Sequence, residues 1–269
     1  MAEQRGGPQL ASNREWMEED RAYRLQTRPI YPIVLERGEG CLVWDVEGKE
    51  YIDLMSGQIC VAIGHSHGEL LEVIAEHAAR LMQTGVIFTT PEEINLAKKM
   101  SEISPGDLHK SYFANSGSES NEAALRMARF HTGREEVAAL VGGFHGGTYG
   151  AWSVSGVGSY QRKGLGLGMA GITFLPTPNP YRCLFCKEKG ACDLSCLEYS
   201  EDMLDQTTSG EPAAIIIEPI MSVAGIILPT KEYMQGIRRI CTERGAMMIV
   251  DEAQTGVGRT GKWFACEHF

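Results

Sequence analysis

AMMIVDEAQTGVGRTGKW, residues 246–263, is the stretch that decides the fold. Its five leading apolar residues, Ala246 to Val250, read as a buried strand. Asp251 and Glu252 follow at the C-terminal end of that strand, with Gln254 just beyond. In open α/β sheets, ligands bind outside the carboxyl ends of the strands, so a carboxylate there is well placed for chemistry. A single buried anion is costly without a positive partner. Asp251 therefore predicts a cationic group on whatever binds beside it.

Two other chemistries share parts of this pattern. An apolar run ending in Asp-Glu holds magnesium in nucleotide hydrolases, but those need Gly-Lys-Ser or Gly-Lys-Thr upstream. Here the Gly-Lys pairs are Gly48-Lys49, followed by Glu50, and Gly261-Lys262, followed by Trp263, so that reading fails. Gly256, Gly258 and Gly261 spell GxGxxG, as do Gly166, Gly168 and Gly171. Neither run leads from a strand into a convincing helix, which is what a dinucleotide fingerprint requires. A nicotinamide oxidoreductase rests on those strings alone.

Further upstream, KSYFANSGSESNEAALRMARFHTG runs from Lys110 to Gly133. Lys110–Ala114 reads as a short strand, Ser116-Gly117-Ser118 as a turn, and Glu119–His131 as a helix. Its inward face is predicted at Ala123, Ala124, Met127 and Ala128, and Gly133 sits where a C-cap glycine belongs. A small-residue turn feeding a helix N-terminus suits a phosphate, because free N–H groups and the positive dipole end meet there. An ordinary serine cap on a core helix has the same sequence. Next comes VAALVGGFHGGTYGA, 137–151. Val137–Val141 is a buried-type strand, followed by a glycine-rich loop around Phe144 and His145. Such a loop permits close backbone approach, and its aromatic ring can stack on a planar ligand. Ala213–Ile217 is a third strand, ending in Glu218-Pro219. His145 as a hydrogen-bonded loop histidine and Glu218 as an ion-pair partner are the plainer readings of those two residues.

The order NSGSESNEAA, GGFHGG, IIIEPIMSVAGI, IVDEAQTGVGRTG resembles the class III aminotransferases among the fold-type I pyridoxal phosphate enzymes. The resemblance runs from about Ile33 to Phe269. Within the class it is strongest to the 2,2-dialkylglycine decarboxylases, through MSGQICVAIGHSH at 55–67, ESNEAALRMA at 119–128 and DEAQTGVGRTG at 251–261. The resemblance implies that Asp251 pairs with the pyridine nitrogen of pyridoxal 5'-phosphate. At contact distance, with an effective dielectric near 20, that attraction is about 4 kcal/mol. It further implies that Gln254 meets the phenolic oxygen, that Ser116, Gly117 and Ser118 hold the phosphate, and that Phe144 stacks on the ring. His145 and Glu218 complete the cofactor-binding set. Gln58, in the SGQ turn, resembles the decarboxylase glutamine that handles the bond broken at the substrate α-carbon, so Gln58, Asp251 and Gln254 form the catalytic set.

Departures from the decarboxylase pattern matter. Gly147 stands where those enzymes carry a larger apolar residue, Val223 where they carry a small hydroxyl residue, and Phe144 where they carry tryptophan. The cofactor chemistry survives these changes, while the substrate does not follow from them. The class also binds its cofactor through a lysine downstream of DEAQTG, and the last lysine here, Lys262, does not match that position. The chain thus reads as a C-terminally truncated member that does not turn over as written. The intact enzyme is expected to move an amino group from an amine or amino acid to a 2-oxo acid, with decarboxylation as a potential companion step. A non-catalytic cofactor- or metal-binding protein is the alternative.

The remaining chain fits an α/β fold: a fold-type I large domain with a mainly parallel sheet and helices on both faces, incomplete at the C-terminus. Residues 1–54 are assigned to an N-terminal arm and small-domain segment, and 55–269 to the cofactor-binding domain. Ser12–Leu25, Glu69–Met82 closed by Gly85, a helix started by Thr90-Pro91-Glu92-Glu93, and Lys231–Arg244 before Gly245 read as helices. Leu42–Trp44 and Tyr51–Asp53 read as a hairpin. His65 and His67 in a glycine turn read as structural. Cys183, Cys186, Cys192 and Cys196 form a cysteine-rich excursion at 183–196 with the spacing C-x2-C-x5-C-x3-C. Four thiols so close are candidates for zinc or an iron–sulfur cluster. A net charge of −10 argues against nucleic acid and anionic membranes. No run of eighteen apolar residues predicts a membrane span. The polar start MAEQRGGPQLASNREW and eight cysteines without a leader point to a cytoplasmic, thiol-reduced protein. The family's homodimers imply self-association.

Overall fold

The computed structural model describes residues 12–27, 29–158, 163–164, 166–186 and 192–269. The chain divides into two compact units, the first ending at Thr89 and the second beginning at Thr90.

In the first unit, helix α1 (Asn13–Tyr23) is opened by a capping box in which Ser12 accepts from Glu15 N–H and Glu15 reaches back to Ser12. Strands β1 (Leu35–Glu39), β2 (Leu42–Asp45) and β3 (Glu50–Ile52) form an antiparallel sheet. Asp45 stabilises the β2–β3 turn by accepting from Glu47 N–H and Lys49 N–H. The predicted hairpin is present, and β1 is a third strand that LERGE, with one apolar residue, did not announce. His65 Nε2 lies 2.7 Å from Asp53 Oδ2, a structural pairing as read. Helix α2 (Gly68–Arg80) ends two residues before the predicted Met82, and its C-cap is Leu81 rather than Gly85.

The second unit carries the ligand-type architecture. Helix α3 (Pro91–Ile103) has Thr90 as its side-chain cap and proline at the first position. After it come α4 (Gly117–Thr132), β4 (Val137–Leu140), α5 (Tyr149–Ser153) and β5 (Ile172–Leu175). They are followed by α6 (Ser195–Thr207), β6 (Ala214–Ile217), α7 (Lys231–Arg244) and β7 (Met247–Val250). The four strands pair in the order β5-β4-β6-β7, all parallel. Gly133 and Gly245 cap α4 and α7 in the left-handed conformation, where glycine has no Cβ to clash.

Alternation along β4 and β6 sorts their side chains to two faces. Ala138, Leu140, Ile215 and Ile217 pack with Leu204, Tyr233, Ile237 and Ile240 of α6 and α7. Val137, Ala139, Ala214 and Ile216 pack with Leu125 and Ala128 of α4. The sheet is therefore covered on both faces, as predicted. Each fully buried isoleucine of β6 contributes about 1.5–3 kcal/mol through removal of apolar surface from water.

Three local expectations are corrected. Lys110–Ala114 forms no strand, since among the described residues it has no ladder partner to hold an extended backbone. On α4 the buried residues are Asn121, Leu125 and Ala128, while Met127 is exposed, so the helix is rotated from the predicted face. Ala246–Val250 is not a fully buried strand either. Its strand portion, β7, lies at the edge of the sheet that the described residues form, which leaves Met247 exposed and Met248–Val250 half-buried.

Candidate functional site

From β4 the chain continues to β5 on one side, and from β6 to β7 on the other. The switch point of the sheet thus falls between β4 and β6, where the loops leaving the two strands diverge. A cavity of about 190 Å³ opens at this end. It is lined by Ser116, Gly117, Ser118 and Asn121 of α4 and its cap, Phe144–Gly146 after β4, Glu218, Ile220 and Val223 after β6, and Asp251 and Ala253–Thr255 after β7. Every predicted cofactor-binding residue is brought to this one cavity.

Asp251 is the most tightly held of them. Its Oδ2 accepts from Asn121 Nδ2 at 2.8 Å and lies 2.9 Å from His145 Nδ1, while its Oδ1 accepts from Ala253 N–H at 3.0 Å. Burial alone pushes this carboxyl up, but the bond to His145, the charge of that ring and the two further donors hold it below the usual carboxylate range. The Asp251 side chain is 8% exposed and that of His145 0% exposed, so the pair is screened from water. His145 is itself fixed through its backbone, where N–H donates to Ser155 Oγ and the carbonyl accepts from Asn121. The histidine does more than a loop residue would.

Glu218 is also structural in its bonding. Oε1 accepts from Phe144 N–H at 2.8 Å and Oε2 from Ser222 N–H at 3.2 Å. Burial raises its carboxyl above the ordinary range, partly opposed by these donors and by the nearby His145. The Phe144 ring is exposed at the cavity, free to stack on a flat ligand.

At the opposite wall, Ser116 caps α4 by accepting from Glu119 N–H, and Glu119 accepts from Asn115 N–H. The first-turn amides have no intrahelical acceptor, which makes this end an anion seat. Ser118 Oγ accepts from Gly147 N–H, so the helix start and the loop after β4 are joined. Gly146 is needed at that junction: an added Cβ would stand 2.3 Å from Ser118 Oγ, and its φ of 135° disfavours any side chain.

Gln58 belongs to the first unit. It lies in a turn at Ser56–Ile59 whose φ angles run from 51° to 73°, a left-handed run that includes three residues other than glycine. The cavity is built from residues of the second unit.

Among the described residues no group of three or more His, Cys, Asp or Glu is arranged to hold a metal ion. Cys183, Cys186 and Cys196 instead pack as small apolar side chains into the core with Leu197 and Tyr233, and Cys192 is exposed. Burial and the neighbouring thiols of Cys183, Cys192 and Cys186 push Cys196 up to about 12.

Sequence reasoning missed Asn121, which it left unremarked within a helical NEAA pattern. No local signal marked it, because both of its partners are distant in the sequence.

A class-III aminotransferase family model matches residues 23–269. The leucine/methionine racemase of Thermococcus litoralis is 38% identical over 252 residues, covering 93% of this chain and 57% of the relative. The acetylornithine aminotransferase of Archaeoglobus fulgidus is 36% identical over 259 residues, covering 95% and 62%. The taurine:2-oxoglutarate aminotransferase of Bifidobacterium kashiwanohense, solved in complex with PLP and glutamate, superposes with a TM-score of 0.85 at 30% identity, covering 96% of this chain and 59% of that one. The chain thus spans about three fifths of the length of these proteins.

Proposed function

This chain belongs to the class-III aminotransferases, and on that premise we propose that its cavity binds pyridoxal 5'-phosphate for amino-group transfer from an amine or amino acid to a 2-oxo acid. The observation that carries the reading is the clamped Asp251 carboxylate, facing a cavity whose other wall is a helix N-terminus. The residues fit the group. Gln254 lines the cavity with a buried Oε1 that has no partner among the described residues, and the Gly146–Ser118 junction is a close-packed cradle.

When bound, the cofactor supplies an electron sink for the substrate α-carbon. The chain's own groups prepare for it. Asp251, kept ionised by its donors, would hold a proton on the ring nitrogen. The amides and hydroxyls of Ser116–Ser118 would hold the phosphate, Gln254 the phenolic oxygen, and Phe144 one ring face. Glu218 keeps Phe144 in place by holding its backbone. Ile220 and Val223 make one wall apolar, which suits an amino donor with an aliphatic side chain.

Finer readings rest on single features. Decarboxylation coupled to transfer, as in the 2,2-dialkylglycine decarboxylases, rests on Gln58; release of carbon dioxide from a 2,2-disubstituted amino acid tests it. Self-association as a homodimer is supported by the apolar side chains Leu70, Leu71, Val73 and Ile74 exposed on α2. The assignment of 1–54 to an arm and small-domain segment rests on the family resemblance, with the compact units dividing later, at Thr89–Thr90. A cofactor-binding protein without turnover is a second reading. It rests on the same cavity, whose residues would hold the cofactor whether or not transfer follows.

The test is a titration with pyridoxal 5'-phosphate, followed by absorbance and tryptophan fluorescence, and then transfer assays from aliphatic amino acids to 2-oxo acids. Saturable binding with transfer supports the main reading, and binding without transfer supports the second. Absence of saturable binding sinks both.

A further inference from the structure

Asn121 sits in the second turn of α4, 6% exposed, and its amide nitrogen makes two hydrogen bonds that belong to different parts of the site. One goes to the His145 carbonyl in the loop after β4 and the other to Asp251 Oδ2 after β7, each 2.8 Å. An Asn amide nitrogen has two hydrogens, so its donor capacity is fully used. His145 in turn touches the same Asp251 oxygen through Nδ1 at 2.9 Å. The three residues close a ring of contacts: α4 to the loop, the loop to Asp251, and Asp251 back to α4.

We infer that Asn121 is a positioning residue that fixes Asp251 relative to the anion seat at the start of its own helix. This rests on the cofactor reading above. Ser116–Ser118 and Asn121 lie on one continuous 16-residue helix segment and its cap, so their separation is set by helical geometry. A flat ligand held by a phosphate at one end and a ring nitrogen at the other needs those two anchors at a fixed spacing. Without Asn121, Asp251 retains His145 and Ala253 N–H but loses its link to the phosphate helix. It also loses one of the donors that keep it ionised, so its carboxyl rises toward the ordinary range.

The discriminating probe is a pair of ligands, pyridoxal 5'-phosphate and its 1-deaza analogue, in which a C–H replaces the ring nitrogen. The ratio of their affinities for the 269-residue chain reports the Asp251 contact alone, because the phosphate contacts are common to both. The native chain is expected to prefer the nitrogen-containing ligand at least tenfold. In Asn121→Ala that preference should fall several-fold, and the acid limb of its pH profile should move to higher pH. Asn121→Leu, closer in volume and equally without donors, should behave the same way and serves if the alanine variant does not fold. Equal weakening of both ligands, with the ratio and pH limb unchanged, would show a merely structural role and overturn the inference. If the native chain binds both ligands equally, Asp251 does not meet the ring nitrogen and the inference falls with that contact. If it binds neither, the cofactor reading itself fails.

Discussion

Glu218 Oε1 accepts the Phe144 backbone N–H at 2.8 Å across the switch point of the sheet, so the carboxylate leaving β6 holds the loop leaving β4. The bond explains why a buried acid stands where no cation balances it directly. Its role is to shape a loop. Glu218→Ala is expected to leave the part-buried N–H groups of Phe144 and Ser222 without acceptors, costing up to about 1–3 kcal/mol for each group that water does not reach. Chemical denaturation should show that loss, and cofactor affinity should fall because Phe144 is no longer held. Unchanged stability would argue against the loop-holding role.

The same residue gives a pH prediction. Burial raises the Glu218 carboxyl in the folded state, so its stabilising contribution is full at low pH and declines as pH rises through the folded value. Asp251 has the opposite sign. Its folded carboxyl is lowered, so its contribution is present above the unfolded value of about 4 and is lost as pH falls below it. Asp251→Asn should therefore lose less stability between pH 7 and pH 3 than the native chain. Urea midpoints at the two pH values measure the difference, and parallel curves would be the contrary result.

Asp251→Asn should also weaken pyridoxal 5'-phosphate by about ten- to a hundredfold, the scale of one hydrogen bond to a charged group. Isothermal titration at pH 7.5 reads it directly. An unaffected dissociation constant would place the ring nitrogen elsewhere.

Gly146→Ala is expected to be more damaging than its size suggests. The methyl would meet Ser118 Oγ at 2.3 Å and Ser118 Cα at 2.8 Å, and the backbone there has a φ of 135°. The junction must open, with a cost on the order of 1–3 kcal/mol for the strained backbone alone. Gly147→Ala next to it meets nothing within 4 Å and is the matched control. Thermal melting of the pair should separate them by several degrees.

Thiol labelling at pH 8 tests the arrangement of the cysteines. Exposed Cys192 should react early with iodoacetamide, while Cys196, buried with its thiol pushed up to about 12, should react only on unfolding. Mass spectrometry of partly labelled protein gives the order. Early labelling of Cys196 would mean that the core around Tyr233 is open.

What the sequence made legible follows from how local each signal is. Asp251, Glu218 and Phe144–His145 could be found because each follows an apolar run that must be a strand, and strand ends point to sites. Gly133 and Gly245 were legible for the same reason, since a helix cap depends on neighbours in the chain. Asn121 was not legible, because its partners lie 24 and 130 residues away and nothing in NEAA distinguishes a surface amide from a buried one. Apolar character likewise misled at β7, which ends in the expected carboxylate but lies at the edge of the sheet. At 183–196 the spacing announced a thiol cluster but not its burial, since Cys183, Cys186 and Cys196 are drawn into the core while Cys192 stays exposed.

The edge position of β7 has a consequence for how binding could be watched. An edge strand is secured on one side only, and it frays more readily than its buried neighbours. Here the inner side is held by Met247 N–H on Ala213 O and Asp251 N–H on Ile217 O. A ligand that grips Asp251 closes the loose end of the strand, so those two amides should exchange their hydrogens more slowly when the cavity is filled. Solvent deuterium would then report occupancy at the margin of the sheet, without any change in the colour of the ligand.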